Sequence, residues 1–225
     1  MIAPAVSNQS LLAFNTLWLS VYRDELNWLP QTENVSIFED AYHDSATYFM
    51  AYNSGNPIGG VRLVHHSEKG FPVEKFADIS GLLTRLDRPV IECQRLFIRS
   101  DFRKTRSKVF PFGIWPAFMK AILQHCMRRA IGYMLADCFV ETPTTPIKSL
   151  LQIGFRETDI FFEDTELNPL GPSTLLSLDV RDMMQFIYGG RSRFQQYLGQ
   201  HDLAIAHLTE IPSRLNTDNT RSMML

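Results

Sequence analysis

Glu92 and Arg95 stand three positions apart inside an otherwise apolar run, VIECQRLFIR, from Val90 to Arg99. A carboxylate can take a proton and a guanidinium can hold charge in place, so the pair has the makings of acid-base chemistry. In a regular strand, positions three apart face opposite sides. Either the two side chains serve opposite surfaces, or the strand carries a bulge that re-aims one of them. Arg62 is a second charge in an apolar strand, between Val61 and Leu63, and must find a partner or reach water. Asp40, Asp44 and Glu92 are its candidate partners. Asp40 and Asp44 belong to an acidic cluster, Glu39 to Asp44, suited to a cationic substrate. The stretch from Arg99 to Lys108 is the opposite. It carries Arg99, Arg103, Lys104, Arg106 and Lys108 against a single acid, Asp101, and would steer an acidic partner.

The elements that must position these groups are legible in the periodicity. Residues 8–26 place Leu11, Leu12, Phe14, Leu17, Trp18, Val21, Tyr22 and Leu26 at helical spacing. Residues 45–53 and 58–65 flank the turn Ser54-Gly55-Asn56-Pro57 and predict a hairpin. A short helix is expected near 73–77, and a strand over 90–99. A helix over 116–131 shows Phe118, Ile122, Cys126 and Ala130 on one face. A strand over 133–142 and a helix over 146–153, stopped by Gly154, come next. Closing strands fall at 155–162 and 173–180, with short helices at 182–188 and 193–198. This order predicts one α/β domain with a mixed central sheet flanked by helices. The domain is expected to span 1–200, with 201–225 a partly disordered tail.

Composition narrows the classes. Net charge is −2, which gives no global case for nucleic acid. No apolar run approaches the length of a membrane span. Cys93, Cys126 and Cys138 form no paired pattern, and without a basic run ahead of the first apolar stretch no secretory leader is expected, so reduced thiols in the cytoplasm are expected. The scattered His show no metal-ligand spacing, so no metal is expected.

The charged residues also fall in the order and approximate spacing of a known family. The run from Val21 to Trp28, the acids Glu39 and Asp40 with Tyr42, and Gly60-Val61-Arg62-Leu63 carry its first half. Glu92, Arg95 and Phe97, then Leu150-Leu151 with Gly154-Phe155, then Leu178-Asp179-Val180 carry the second. Over residues 11–180 the chain resembles the acyl-homoserine lactone synthases, whose fold is N-acetyltransferase-like. It is also similar to their sister group, the N-acyl amino acid synthases. The segment Gly70 to Glu74 and Asp101-Phe102-Arg103 look closer to the sister group.

The resemblance implies transfer of a fatty acyl group from a carrier thioester to an amine. That amine is S-adenosylmethionine in the lactone synthases, which make quorum-sensing signals, and a free amino acid in the sister group. A non-catalytic member that only binds an acyl carrier is a third reading. The resemblance further implies Glu92 positioning the amine or a water, with Arg62 and Arg95 shaping the site. It implies substrate contacts from Trp28, Asp40, Asp44 and Phe76, and an acyl tunnel from Phe97, Phe112, Trp115, Phe118 and Phe139. Backbone N–H groups at the irregular strand would hold the oxyanion. No cofactor is implied. The chain departs from the pattern at Trp18, where the family has Arg, at His43, where it has Asp, and at Gln94, where it has Ser. The donor is expected to be acyl carrier protein, because no glycine lies between Arg99 and Phe112 to cradle the pyrophosphate of CoA.

Overall fold

The computed structural model describes residues 1–31, 35–142, 145–168 and 171–200. The expected tail, 201–225, lies outside the described residues. In chain order the elements are β1 (Ile2–Pro4), α1 (Asn8–Leu19), β2 (Ala46–Asn53), β3 (Asn56–His65), α2 (Ser80–Leu83) and β4 (Val90–Ile98). They continue with α3 (Ile114–Arg128), β5 (Tyr133–Phe139), α4 (Ile147–Gln152), β6 (Arg156–Phe162), β7 (Ser173–Asp179), α5 (Val180–Gly189) and α6 (Arg193–Gly199). The strands form one seven-stranded sheet in the order β1-β2-β3-β4-β5-β7-β6. Among the described residues only β4 and β5 are parallel, and α3 provides the crossover a parallel pair requires. The mixed α/β domain expected from the periodicity is the one observed.

Helix α1 is set by Ser7, whose hydroxyl accepts from the Ser10 N–H in a capping box. Its buried side chains Phe14, Leu17 and Trp18 join Tyr48, Met50 and Phe97 in a core on one face of the sheet. The helix does not end at Leu19. It widens into a π-helical turn over Ser20–Glu25, and such turns concentrate at functional sites. Phe14 approaches β3 so closely that a Cβ on Gly60 would meet its ring at 2.6 Å. On the opposite face α3 buries Phe118, Ile122 and Cys126 against Val61, Leu63 and Ile91. Ala130, grouped with that face by its spacing, lies past the helix end at φ 52°.

The central feature is how β4 meets its two neighbours. Against β5 the ladder runs from Val90↔Tyr133 to Cys93↔Ala136 and then stops. Beyond Cys93 the β5-facing edge of β4 has no strand partner, so a wedge opens between the two strands. Against β3 the register shifts between Gly60 and Arg62, which pair with Phe97 and Gln94. Val61 thus faces two residues, Arg95 and Leu96, which is the arrangement of a β-bulge. Arg95 sits at φ 49°, a left-handed conformation that costs a non-glycine residue energy. The irregularity needed to bring Glu92 and Arg95 to one side is present.

A pair of imidazoles lies apart from this region. His125 Nε2 is 3.3 Å from His65 Nε2, which is 3.3 Å from Thr47 Oγ1. Burial, then His65 and the nearby Arg129 and Arg128, push His125 down to about 4. Burial and Arg129 also lower His65. Both rings are therefore neutral in the fold, while the unfolded chain takes up protons below about pH 6.5. Stability from this pair is full above that pH and is lost as pH falls toward the folded value. Against a His125→Gln reference, the wild type should lose about 2 kcal/mol more between pH 7 and pH 5. Urea unfolding of both proteins at the two pH values measures the difference.

Candidate active site

Asp40, Arg62, Arg95 and Glu92, joined through Gln94, form one connected network beside the wedge. Asp40 Oδ2 accepts from Arg62 Nη1 at 2.7 Å and from Arg95 Nη2 at 2.5 Å. Its other oxygen accepts from the Tyr42 N–H at 2.9 Å. Arg62 also donates to Gln94 Oε1. That contact turns the Gln94 amide so that Nε2 donates to Glu92 Oε1 at 2.6 Å. The remaining Glu92 oxygen accepts from the Val73 N–H at 3.3 Å. Arg95 lies with its guanidinium 4.1 Å from the Trp18 ring centroid, a cation-π contact. Trp18, where the resemblance has Arg, thus supports Arg95 from below without adding charge.

Burial decides the protonation states. Burial favours a neutral Asp40, but Arg62 and Arg95 prevail and hold it at about 2. Arg95 is lowered to about 10 by burial and by Arg62, against the pull of Asp40. Glu92, at 0% exposure, is pushed up to about 8 by burial and by Asp137. Asp137 is pushed up to about 6 by burial and by Asp164. Burial likewise raises the Tyr22 phenol, with Asp137 adding to the effect.

Two cavities meet at the wedge. The larger, about 780 Å³, has a mixed lining that carries the charged groups and is bounded by Trp18, Tyr22, Leu29, Val35, Glu39, Asp40, Tyr42, Arg62, Pro72, Lys75, Phe76, Gln94, Arg95, Asp137, Asp164 and Glu166 among others. The smaller, about 120 Å³, is mostly apolar and is bounded by Trp28, Cys93, Leu96, Trp115, Met119, Ala136, Cys138, Phe139, Leu150 and Phe155. Tyr22, Gln94, Arg95, Asp137 and Leu167 line both. A polar chamber joined to an apolar one through a gap in a sheet can bring a polar nucleophile to the head of an aliphatic chain.

The placement of the candidate residues follows. Asp40, Arg62, Arg95 and Phe76 line the polar cavity, and Trp28, Trp115 and Phe139 the apolar one. Glu92 lines neither and reaches the junction only through Gln94. Asp44 is exposed on the short turn before β2 and takes no part in the network, and the adjacent His43 contacts the Tyr48 hydroxyl at 3.0 Å. Phe97 lines neither cavity, because it is buried against Phe14 with ring centroids 5.1 Å apart. Phe118 is buried in the core under α3, and Phe112 packs on Phe194 and Tyr197. Phe97 and Phe118 lie outside the expected tunnel because their strand and helix positions face packed core, and Phe112, on the loop before α3, because it packs on α6.

The basic stretch is uneven. Arg99 pairs with Asp101 at 2.7 Å and Arg103 pairs with Glu25. Lys104, Arg106 and Lys108 are exposed on the loop between β4 and α3. The loop closes on Gly113, whose φ of 101° only glycine adopts readily, at the N-terminus of α3. Asp137 and Gln94, both at the junction of the cavities, were not picked out as site residues in the sequence. For Asp137 the signal was there: an acid alone in the apolar strand YMLADCF, as Glu92 is in its own.

Residues 17–110 match the model of the acetyltransferase (GNAT) domain. That span contains Asp40, Arg62, Glu92 and Arg95. The fold is similar to that of FeeM, an N-acyl amino acid synthase from uncultured soil microbes. The TM-score is 0.63 at 14% identity, over 88% of this chain and 97% of that one. It is also similar to the acyl-homoserine lactone synthase LasI, with TM-score 0.56 at 15% identity over 85% and 95% of the two chains. BjaI, a CoA-dependent acyl-homoserine lactone synthase, gives 0.55 at 17% identity over 88% and 98%. No curated protein matches the sequence. The matched span and these shared architectures give the chain a GNAT fold, into which the wedge between β4 and β5 and the bulge at Arg95 are built.

Proposed function

We propose that the protein is an N-acyltransferase that joins a fatty acyl group, delivered as a carrier thioester, to a small amine. The observation that carries this reading is the pair of cavities meeting at the β4–β5 wedge, one charged and acidic, one apolar. The acyl chain lies among Trp28, Trp115 and Phe139. The thioester sits against the unpaired edge of β4 beyond Cys93, where freed N–H groups of the strand are available to the carbonyl oxygen. The amine enters from the polar side. Its nitrogen attacks the carbonyl carbon, the C–N bond forms, the C–S bond breaks and the thiol leaves. Both substrates supply every atom, so the reaction as proposed calls for no cofactor.

Charge accounting in the polar cavity favours a cationic amine. Of its cations, Arg62 and Arg95 are held by Asp40, and Lys75 pairs with Glu166 at 2.5 Å. Asp40 offsets only one of those two guanidiniums, so with Glu39, Asp137, Asp164 and Glu166 the lining holds five acids against three cations, a formal excess of two negative charges. S-adenosylmethionine carries a sulfonium and an ammonium against one carboxylate, and suits such a chamber better than a zwitterionic amino acid. After acylation its carboxylate would displace methylthioadenosine, closing the lactone of a quorum-sensing signal. The free amino acid is the second reading, supported by the similarity to FeeM. Buried donors at Trp18 Nε1, Arg62 Nε and Arg95 Nη1, which have no hydrogen-bond partner, would suit the carboxylate that both substrates share.

The purified protein, given acyl carrier protein thioesters and either amine, should release methylthioadenosine with S-adenosylmethionine. An acylated amino acid formed with no such release would establish the second reading instead.

A further inference from the structure

Glu92 is the acid that the sequence puts forward, yet it is sealed. It is 0% exposed, lines neither cavity, and each of its oxygens already accepts a hydrogen bond. Asp137 is placed differently. Glu92 pairs with Leu135 across the β4–β5 ladder, and Asp137 lies two residues further along β5. It therefore projects to the same face as Glu92 and Gln94, one residue past the last ladder pair. There it lines the polar and the apolar cavity together.

Among the described residues five line both chambers, and four of them are unsuited to take a proton from an amine. Gln94 and Leu167 do not titrate. Arg95 is a cation held by Asp40. Burial keeps the Tyr22 phenol protonated.

Resting on the acyl-transfer reading above, we propose that Asp137 is the catalytic residue that accepts the proton of the attacking amine. Glu92 then serves as a positioning residue that acts through Gln94. As the C–N bond forms, the proton leaves nitrogen for an Asp137 oxygen. As the C–S bond breaks, it passes on to the departing sulfur, and the carboxylate is restored. Burial and Asp164 bring Asp137 up to about 6, close to where a base works best near neutral pH. Burial and Asp137 bring Glu92 to about 8, so near neutral pH Glu92 is mostly protonated. The groups that bear on Asp137 are Glu92 and Cys93 from β4, Arg62 from β3, Cys138 beside it, Tyr22 from the π-helical turn and Asp164 after β6. Because these sites interact, the observed limb belongs to the group of them.

The test is kcat against pH with one acyl thioester and one amine, in wild type, Asp137→Asn and Glu92→Gln. Wild-type kcat should rise through an apparent pKa near 6. Asp137→Asn should lose on the order of 100-fold and the limb with it. Glu92→Gln should keep the limb near the same pH, because Glu92 is already neutral where Asp137 titrates. In Asp137→Ala, added formate should restore activity in proportion to its concentration, which a purely structural role would not allow. Loss of the limb in Glu92→Gln would overturn the proposal even if no Asp137 variant folds. So would an Asp137→Asn rate within threefold of wild type, or an Asp137→Ala protein that formate leaves unchanged. If the wild type forms no amide from any thioester and amine, the acyl-transfer reading fails and this one with it. If amide forms and only the Asp137 results disagree, the proton acceptor alone is misassigned.

Discussion

Asp40→Asn is expected to destabilise the fold by about 3–5 kcal/mol, the cost of stranding buried charge. Asp40 is the single carboxylate between Arg62 and Arg95, whose side chains are 3% and 14% exposed. The asparagine keeps the shape and one acceptor oxygen but leaves two guanidiniums facing each other without compensation. Each already lacks a partner for one buried N–H. Adding Arg95→Met to the variant should recover part of the loss, because it removes one of the two stranded charges. It will not recover all of it, since Arg95 also stacks on Trp18. Acid should mimic the substitution. Asp40 is depressed to about 2, so its contribution is full above its ordinary value near 4 and is lost as pH falls through the folded value. Denaturant unfolding of the three proteins at neutral pH checks the order. A loss under 1 kcal/mol for Asp40→Asn would mean that the network is not a stabilising unit.

Replacing Lys104, Arg106 and Lys108 together by Glu is expected to raise KM for an acyl carrier protein thioester on the order of 10- to 100-fold at low salt. Its effect on kcat should be much smaller, because these side chains lie on an exposed loop and line neither cavity. The choice of residues comes from the structure. Arg99 and Arg103 are occupied by Asp101 and Glu25, which leaves the other three to present charge. Exposed charges act mainly on the encounter rate and are screened over about 8 Å at physiological salt. Added salt should therefore weaken the wild type and leave the variant nearly unchanged. Equal KM values at low salt would remove the loop from donor recognition. They would also favour a donor such as CoA, whose recognition does not depend on an acidic protein surface.

Much of this architecture was legible because period and burial agree. The helix at 116–131 and the strand at 90–99 were close to the observed α3 and β4, since each has one clear apolar pattern. Two charges three apart in one strand left two readings open, opposite surfaces or a bulge, and Arg95 at φ 49° realises the bulge. The short strand β1 was not legible. Three residues carry no period, and Ile2 is a strand residue only because it pairs with Ala51. The π-helical turn was equally hidden, since widening a helix by one residue leaves its apolar spacing almost intact. In the site, Arg62 found Asp40, one of the three partners the sequence offered it, and Arg95 shares that carboxylate. Asp44 did not join them, because on the turn before β2 its own side chain is exposed while His43 takes the inward position against Tyr48. The relay from Arg62 through Gln94 to Glu92 depends on cross-strand register, which one strand read alone does not contain. The aromatics Phe97 and Phe118 show the converse. Their type fits an acyl tunnel, but only packing distinguishes a tunnel wall from a core.

The central claim is that the two cavities bring an amine and an acyl thioester together for amide formation. Mass spectrometry of the products, alongside a count of free thiol, tests it most directly. The purified protein should convert an acyl carrier protein thioester and a small amine into an N-acyl amide, with one thiol released for each amide formed. Thiol release accompanied only by free fatty acid, or no release with any amine offered, would contradict the account.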